Sequence, residues 1–528
     1  MSFYTEIIDL ILSKKIQTKE ELHKAKIKLC KKYRIEKIPP DSKILAYLPS
    51  DVPNYEDVYS LLKKKPMRTI SGVAIIAVMT SPEPCPHGRC IPCPGGVENN
   101  TPQSYTGFEP AAMRGSLNDF DPYLQVKSRT EQLELIGHPT DKIDLILMGG
   151  TFTSRLPSYQ EWFVKRCYDA LNKEESSTLV LAKKKNEHAP HRCVGLTVET
   201  RPDWLRLQQV DNVLNLGATR VELGIQSVYD DILYDMGRGH TIVDTVSATR
   251  IAKDSGLKVC YHIMPGLPSS DEELDLKAFR TLFEDSRFKP DMIKIYPTLV
   301  IKGTKLYDRW KSGDYEPLDS EKASKLIAHM KEYVPEWVRI QRIQRDVPAP
   351  VIASGVKKSN LRQFVEKEMR NHGKTCKCIR CKEIGHKSLE KQINFNALDI
   401  VFTRRNYEAS GGIEVFLSLE DKTRDAIVGY LRLRDVVLPY RYELKKEPGM
   451  IIRELKVLGR ELSIGKRTNA ALQHRGYGKE LVEEAKRICS EEFDKRKLFV
   501  LSGVGVKEYY RKLGFADDGV YLSTYLKT

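Results

Sequence analysis

The sequence predicts a parallel α/β domain followed by a separate, smaller α+β domain. Three observations carry this. From about residue 69 to residue 300, six short β-branched runs alternate with amphipathic stretches, and parallel strands need crossovers that helices usually supply. Around residues 355–390 the alternation gives way to a polar, basic helix and the cysteine-rich stretch "CKCIRCKEIGH". Beyond it, "GGIEVFLSLE", "AIVGYLRLR" and "IIRELKVLG" succeed one another in an antiparallel-looking rhythm before "QHRGYGKELVEEAKRIC". A chain of 528 residues holds about two to four domains. The divisions read here are 1–65, 66–360, 361–390 and 391–528.

Residues 1–65 read as short basic helices. The opening "MSFYTEIIDLILSKK" has an apolar stripe interrupted by Glu6 and Asp9, which suits an amphipathic helix and not a secretory signal. Pro39, Pro40, Pro49 and Pro53 break the remainder of this region into short pieces.

The strand runs are "ISGVAIIAVM", "IDLILMGG", "CVGLTVET", "TRVELGI", "LKVCYHIM" and "MIKIYPTLV". By pattern alone they fit a partial barrel or a doubly wound sheet. In both, ligands bind at the carboxyl ends of the strands. Those ends carry Gly149-Gly150-Thr151, Glu199-Thr200-Arg201, Gln226-Ser227 and Met264-Pro265-Gly266. One glycine pair serves a turn; several polar strand ends on one rim predict a site.

Composition bounds the function. Lys and Arg outnumber Asp and Glu by 86 to 71, a formal charge of +15, which attracts polyanions. The basic runs are scattered: "CKKYRIEK", "KKKPMR" from Lys63, "KKK" from Lys183, and Arg339, Arg342 and Arg345. Their sum favours nucleic acid over acidic metabolites. No apolar run approaches the ~20 residues of a membrane span, so a cytoplasmic location is expected. Eleven cysteines, six of them in two tight clusters, point to metal in a reducing compartment and away from a disulfide framework.

The first cluster is "CPHGRCIPCPGG", with Cys85, Cys90 and Cys93. Four-iron clusters are normally tied by four thiolates; three leave one iron open. An open iron can be chelated by the amino and carboxylate groups of S-adenosylmethionine, a source of radical chemistry. Prolines and glycines keep the loop out of helix and sheet, so its backbone can wrap a cube. A Cys3His zinc site using His87 is the competing reading. The second cluster, Cys376, Cys378 and Cys381, has zinc-like spacing, with His386 or His372 as a fourth ligand; free thiols in a linker are the alternative.

The chain resembles, across nearly its whole length, the Elongator catalytic-subunit family of radical S-adenosylmethionine tRNA carboxymethyluridine synthases. The resemblance rests on "CPGG", "QSYTGFEP" from Gln103, "MGGTF" from Met148, "ETRPD" from Glu199, "QSVYDD" from Gln226, "YPTLVIKGTKLY" from Tyr296 and "SGVGVKEYYRKLGF" from Ser502. The gap between Cys85 and Cys90 is shorter than in some relatives, which changes loop length and not ligand count. "QHRGYGKEL" from Gln473 has the Q/R-x-x-G-x-G form of the acetyltransferase (GNAT) superfamily; its glycines bare backbone N–H groups at a helix start, which favours a pyrophosphate.

The resemblance implies a partial TIM-like radical SAM barrel followed by a GNAT domain. It implies a 4Fe-4S cluster, S-adenosylmethionine, acetyl-CoA and zinc. Gly149, Gly150 and Glu199 would serve S-adenosylmethionine. Glu454, Leu455, Lys456 and Val457 would line the acetyl arm. Gln473, Gly476, Tyr477, Gly478 and Lys479 would hold the pyrophosphate, with Tyr509 and Tyr510 beside the coenzyme. One of that tyrosine pair is expected to pack beside Phe515 instead. Lys142 of the barrel would also reach the coenzyme, and Lys142 and Tyr510 are the expected catalytic pair. Lys456 stands where relatives carry histidine. The implied partners are a tRNA anticodon stem-loop and Elongator-type subunits or a second copy. The rival activity is lysine acetylation, with Glu454 as general base and the cluster merely structural.

Overall fold

A computed structural model describes residues 2–48, 58, 61–62, 69–390, 393, 395, 397–459, 472–473 and 475–526. The chain opens with helices Phe3–Leu12, Lys19–Lys32 and Asp41–Ala46. Ser2 caps the first, and a Thr18–Glu21 capping box starts the second. Phe3, Ile7, Ile8 and Ile11 bury the apolar stripe of the first helix against Leu22 and Leu29 of the second.

The central sheet is built from β1 (Ala74–Met79), β2 (Lys142–Met148), β3 (Arg192–Thr200), β4 (Arg220–Gln226), β5 (Lys258–Ile263), β6 (Met292–Ile295) and β8 (Arg339–Ile343). A two-stranded ribbon, β7 (Val300–Ile301) with β9 (Ile352–Ser354), stands apart. The seven strands lie side by side in chain order, and every neighbouring pair is parallel. A doubly wound sheet reverses its strand order at a switch point. This sheet never reverses, so of the two architectures it is the open barrel. All seven carboxyl ends therefore share one rim.

The second sheet comprises β10 (Ile400–Ala409), β11 (Gly412–Asp421), β12 (Ala426–Asp435), β13 (Met450–Val457), β14 (Lys497–Val500), β15 (Ala516–Asp518) and β16 (Tyr521–Tyr525). Its order is β10-β11-β12-β13-β14-β16-β15, antiparallel except for β13 with β14. That parallel pair joins only Met450–Ile452 to Leu498–Val500. Beyond Ile452 the two strands part, and the outer edge of Arg453–Val457 has no strand partner among the described residues.

The second sheet closes the amino end of the barrel. The segment "SGVGV" lies directly on the start of β3: a Cβ at Gly503 would come within 2.2 Å of the Val194 carbonyl oxygen, so only glycine permits the approach. At the same seam four cations meet four carboxylates. Arg453 Nη1 donates to Asp291 at 2.9 Å, Arg434 Nη2 to Asp254 at 2.7 Å and Arg434 Nη1 to Glu414 at 3.1 Å. Arg432 Nε donates to Glu454 at 2.9 Å, and Lys253 lies 3.5 Å from Asp291. Arg432, Arg434 and Arg453 are fully buried. The segment between the sheets belongs to both: Leu361, Val365, Met369 and Cys378 enter the barrel core, while Ile379 and Ile384 enter the second.

Candidate active site

A cavity of about 1160 Å³, counting its open mouth, occupies the carboxyl rim of the barrel. The loop after β1 brings Cys85, Cys90 and Cys93 to its wall. Ile91 N–H donates to Met236 O at 3.0 Å, and Arg89 Nε donates to Cys93 O at 3.0 Å, so the loop is anchored on both sides of the middle cysteine. The Cys85 N–H donates to the Gln103 side chain. Each sulfur has a polar neighbour. Ser104 N–H donates to Cys93 Sγ at 3.2 Å, Arg238 Nη1 to Cys90 Sγ at 3.6 Å, and Thr151 Oγ1 lies 3.6 Å from Cys85 Sγ.

Burial pushes the Cys85 and Cys93 thiols up, so anionic sulfur at these positions calls for a cation. A single zinc at about 2.3 Å from each sulfur would draw the sulfurs to about 3.8 Å from one another. Among the described residues the three do not form a set of ligand atoms all within 4.8 Å. His87 Nε2 lies 3.0 Å from Cys90 Sγ alone. The spread suits a cube of several metals better than one ion, and the residues present fit an iron–sulfur cluster.

The strand ends divide their labour. Gly150, at φ 89°, lines the cavity, and a Cβ there would sit 3.7 Å from Cys85 Sγ. Gly149 makes room for Thr80: its Cβ would fall 1.9 Å from the Thr80 hydroxyl. Glu199 lines the cavity, accepts from Tyr105 Oη at 2.7 Å and lies 3.5 Å from Lys294 Nζ. Sequence reasoning does not single out Arg238, Glu222, His262 or Lys294, and it names Gln226 and Arg201 only as strand ends. Gln226 holds φ 65°, a left-handed value for a non-glycine residue. Arg201 Nη1, Arg238 Nε, Gln226 Oε1 and Glu222 Oε1 are buried with no hydrogen-bond partner in the structure. Orphaned polar atoms around a cavity fit a polar ligand.

Below the rim, alternate residues of the parallel strands turn inward in layers. The middle layer holds Glu222 and Lys294, which form an ion pair, and His262 Nε2 lies 2.7 Å from Glu222 Oε2. Burial pushes the Glu222 carboxyl up, but Lys294 and His262 together outweigh it and hold the group below the carboxylate range. Deepest, Asp144 pairs with Arg220 at 3.2 Å across Gly195, whose missing side chain opens the way.

At the amino end the barrel meets the second sheet's parted strands. Lys142 Nζ, at the start of β2, donates to Gln473 Oε1 at 2.8 Å, joining the two domains. Gly476, at φ 99°, precedes the helix Tyr477–Arg487, which begins with the glycine turn's pyrophosphate candidates Tyr477, Gly478 and Lys479. Tyr509 is 38% exposed, and a Cβ on Gly478 would lie 2.6 Å from its hydroxyl. Tyr510 is the member of the pair that packs: it is buried, its ring edge-on to Phe515 at 5.8 Å. Leu455, Lys456 and Val457 lie on the unpaired edge beyond Ile452. Burial pushes the Glu454 carboxyl up, but Arg432 and then Lys258 and Lys456 outweigh it and keep it low. An ion-paired carboxylate is a poor general base.

The second triplet differs from the first. Cys376, Cys378 and Cys381 place their sulfurs within 4.8 Å of one another. His386 is not with them: its Nε2 lies 3.7 Å from Glu383, on the short helix that continues past the turn. His372 caps its own helix, its Nδ1 3.0 Å from Glu368 O, and is exposed. Among the described residues neither histidine joins the three sulfurs within 4.8 Å.

Known proteins share this geometry and the sequence beneath it. Residues 1–70 match the profile of the ELP3 N-terminal domain, 85–279 that of the Radical SAM superfamily and 290–371 that of the Radical SAM C-terminal domain. A tRNA uridine(34) acetyltransferase of Methanocaldococcus jannaschii is 54% identical over 93% of this chain and 91% of its own length. Elongator complex protein 3 of Homo sapiens is 41% identical over 96% of this chain and 93% of its own. The solved structure of the archaeal Methanocaldococcus infernus Elp3 with an N-terminal deletion matches with a TM-score of 0.77 at 48% identity, covering 87% of this chain and 100% of that one.

Proposed function

This chain belongs to the Elongator complex protein 3 family of radical SAM enzymes, and we propose that it modifies the wobble uridine of tRNA, joining an acetyl-derived carbon to carbon 5 of the base. One observation carries the reading: a single barrel has the three-thiol cavity at its carboxyl rim and a coenzyme-type glycine turn at its base, the two domains tied by Lys142 and Gln473.

Cys85, Cys90 and Cys93 would hold a 4Fe-4S cluster. With S-adenosylmethionine, such a cluster supplies a 5′-deoxyadenosyl radical. Gly150 leaves its backbone open to the methionine moiety, and Glu199, Arg201 and Arg238 offer it charge. In a GNAT-like second domain, the free edge of β13 from Glu454 to Val457 offers backbone groups to an acetyl-CoA arm, as an added strand would be met. Helix Tyr477–Arg487 offers its first N–H groups to the pyrophosphate. A pendant base must be unstacked to enter, which an anticodon loop allows cheaply. Zinc held by Cys376, Cys378 and Cys381 belongs to the same reading.

The basic surface supports tRNA as partner, although Lys63, Lys64 and Lys65 lie outside the described residues. Relatives named as Elongator subunits support partner subunits. No helix of the described chain is long and apolar enough to cross a membrane. The eleven free cysteines support a reducing, cytoplasmic compartment. Lysine acetylation by Glu454 is disfavoured by its bond to Arg432. The test is acetyl-CoA deuterated on the methyl group: tRNA-dependent deuterium in 5′-deoxyadenosine is expected. Unlabelled deoxyadenosine with lysine acetylation by cluster-free protein would overturn the reading.

A further inference from the structure

The cavity at the carboxyl rim holds a ring nitrogen that is both open and unpartnered. His262, near the end of β5, lines the cavity, and its Nε2 lies 2.7 Å from Glu222 Oε2. The Lys294 ammonium sits on that same carboxylate oxygen. A carboxylate so paired is ionised and only accepts hydrogen bonds. Nε2 of the neutral ring therefore carries the hydrogen, and Nδ1 carries the lone pair. Nδ1 makes no hydrogen bond among the described residues and is not enclosed, so it is open to the cavity. Tyr296 stands edge-on to the ring with centroids 5.4 Å apart, which limits its rotation.

The carboxylates of the cavity wall are committed. Glu109 accepts from the Thr106 N–H through both oxygens at 3.0 Å. Glu199 accepts from Tyr105 Oη and lies beside Lys294, and Asp346 pairs with Arg342 at 2.7 Å. Arginines of the wall cannot take up a proton. Cys260 Sγ lies within 4.8 Å of the Glu222 and His262 ligand atoms, yet the Lys294 ammonium on Glu222 repels a metal ion there. An imidazole held at one nitrogen by a buried carboxylate and bare at the other has the arrangement of a general base.

Wobble-uridine modification gives such a base a task. The acetyl methyl group must enter this cavity to lose a hydrogen atom, and once its carbon is joined to the base the thioester stays tethered beside it. A carboxymethyl product requires water to cleave that thioester. We propose that His262 is the general base of this hydrolysis, which rests on the reading of the cavity as the place where the acetyl-derived carbon meets uridine. Nδ1 takes a proton from water as the water oxygen bonds to the carbonyl carbon. The C–S bond then breaks, the imidazolium returns that proton to the leaving sulfur, and the acid formed loses its own proton to solvent. Nothing is oxidised or reduced. Glu222 orients the ring and faces the positive charge that it acquires.

The test supplies the tethered thioester directly. An anticodon stem-loop carrying 5-carboxymethyluridine at the wobble position, as its coenzyme A thioester, is given to the reconstituted full-length protein without S-adenosylmethionine or reductant, and thiol release is followed. The wild-type protein should cleave it far faster than buffer does, and more slowly in deuterium oxide, because a proton is in flight as water attacks. His262→Gln, whose amide can still meet Glu222 but cannot take up a proton, should slow release by about 100-fold or more. His262→Ala should regain part of the rate when free imidazole is added, and thermal melting should show both variants folded. Cleavage by His262→Gln at the wild-type rate, a wild-type rate unchanged in deuterium oxide, or wild-type cleavage no faster than in buffer would each overturn the assignment. The wobble-uridine reading stands or falls separately, on deuterium transfer from acetyl-CoA to 5′-deoxyadenosine.

Discussion

The two ends of the barrel handle polar groups in opposite ways. At the carboxyl rim, Arg201, Arg238 and Gln226 each keep a buried atom without a hydrogen bond, and Gln226 holds a left-handed backbone. At the amino end, Arg432, Arg434, Arg453 and Lys253 face Asp254, Asp291, Glu414 and Glu454 in ion pairs, and even Arg432 Nη1, which makes no hydrogen bond, lies 3.6 Å from Asp291. Unpaired groups and strain are tolerated where a ligand completes the structure. Paired charges at the base fix one domain on the other. The rim is thus expected to govern activity and the base to govern stability.

The largest effect should come at the rim. Cys90→Ala should abolish cluster iron and turnover while the melting temperature of the metal-free protein stays nearly unchanged. Metal analysis beside a melting curve separates the two. Zinc in place of iron at this triplet in reconstituted wild-type protein would break the contrast. At the base, Arg453→Met removes the partner that Asp291 and Glu414 share, leaving carboxylates buried with less compensation. A loss of about 3–5 kcal/mol is expected by denaturant unfolding, with iron content intact. A loss below about 1 kcal/mol would show that the seam charges relax into water, and the contrast would fail.

How far the sequence shows this division depends on where each charge has its partner. The three thiols, the polar strand ends and six barrel strands are readable, because loop prolines and apolar runs are local signals. Strand β8 is not: "RIQRI" reads as a basic run for polyanions, yet Arg339 is buried and donates to Glu383 at 2.8 Å. In β12, "YLRLRD" alternates as a half-exposed strand should, but its polar face meets the barrel, and Arg432 and Arg434 are hidden. Part of the cation count therefore lies inside the protein, beside buried carboxylates that balance it, and the net charge stays at the surface. Periodicity reports which face is polar and cannot report that another domain covers it. His386 stands outside the thiol set for a related reason: spacing places it near the thiols, and the helix beyond them puts its Nε2 3.7 Å from Glu383.

A smaller effect should distinguish the tyrosine pair. Tyr509 Oη faces Gly478 of the glycine turn, whereas the Tyr510 ring packs against Phe515. Tyr509→Phe should weaken coenzyme A binding by up to about tenfold, the scale of one hydrogen bond, and spare stability. Tyr510→Ala should cost about 3–5 kcal/mol as a core truncation. The reverse assignment would make Tyr510 the coenzyme contact and Tyr509 incidental.

The smallest effect tests whether strain at the rim is retained for function. Gln226 ends β4 at φ 65°, where a side chain costs roughly 1 kcal/mol or more relative to glycine. Its amide lines the cavity, and its backbone carbonyl accepts from Met264 N–H at 2.9 Å. Gln226→Gly keeps that backbone bond, removes the steric penalty and removes the amide. Glycine also loses more freedom on folding, which offsets part of the relief. The expected result is a protein as stable as the wild type or up to about 1 kcal/mol more stable, together with weaker S-adenosylmethionine binding. If Gln226→Gly instead lowers stability and leaves binding untouched, then the amide supports the fold, and the rim is governed by the same rule as the base.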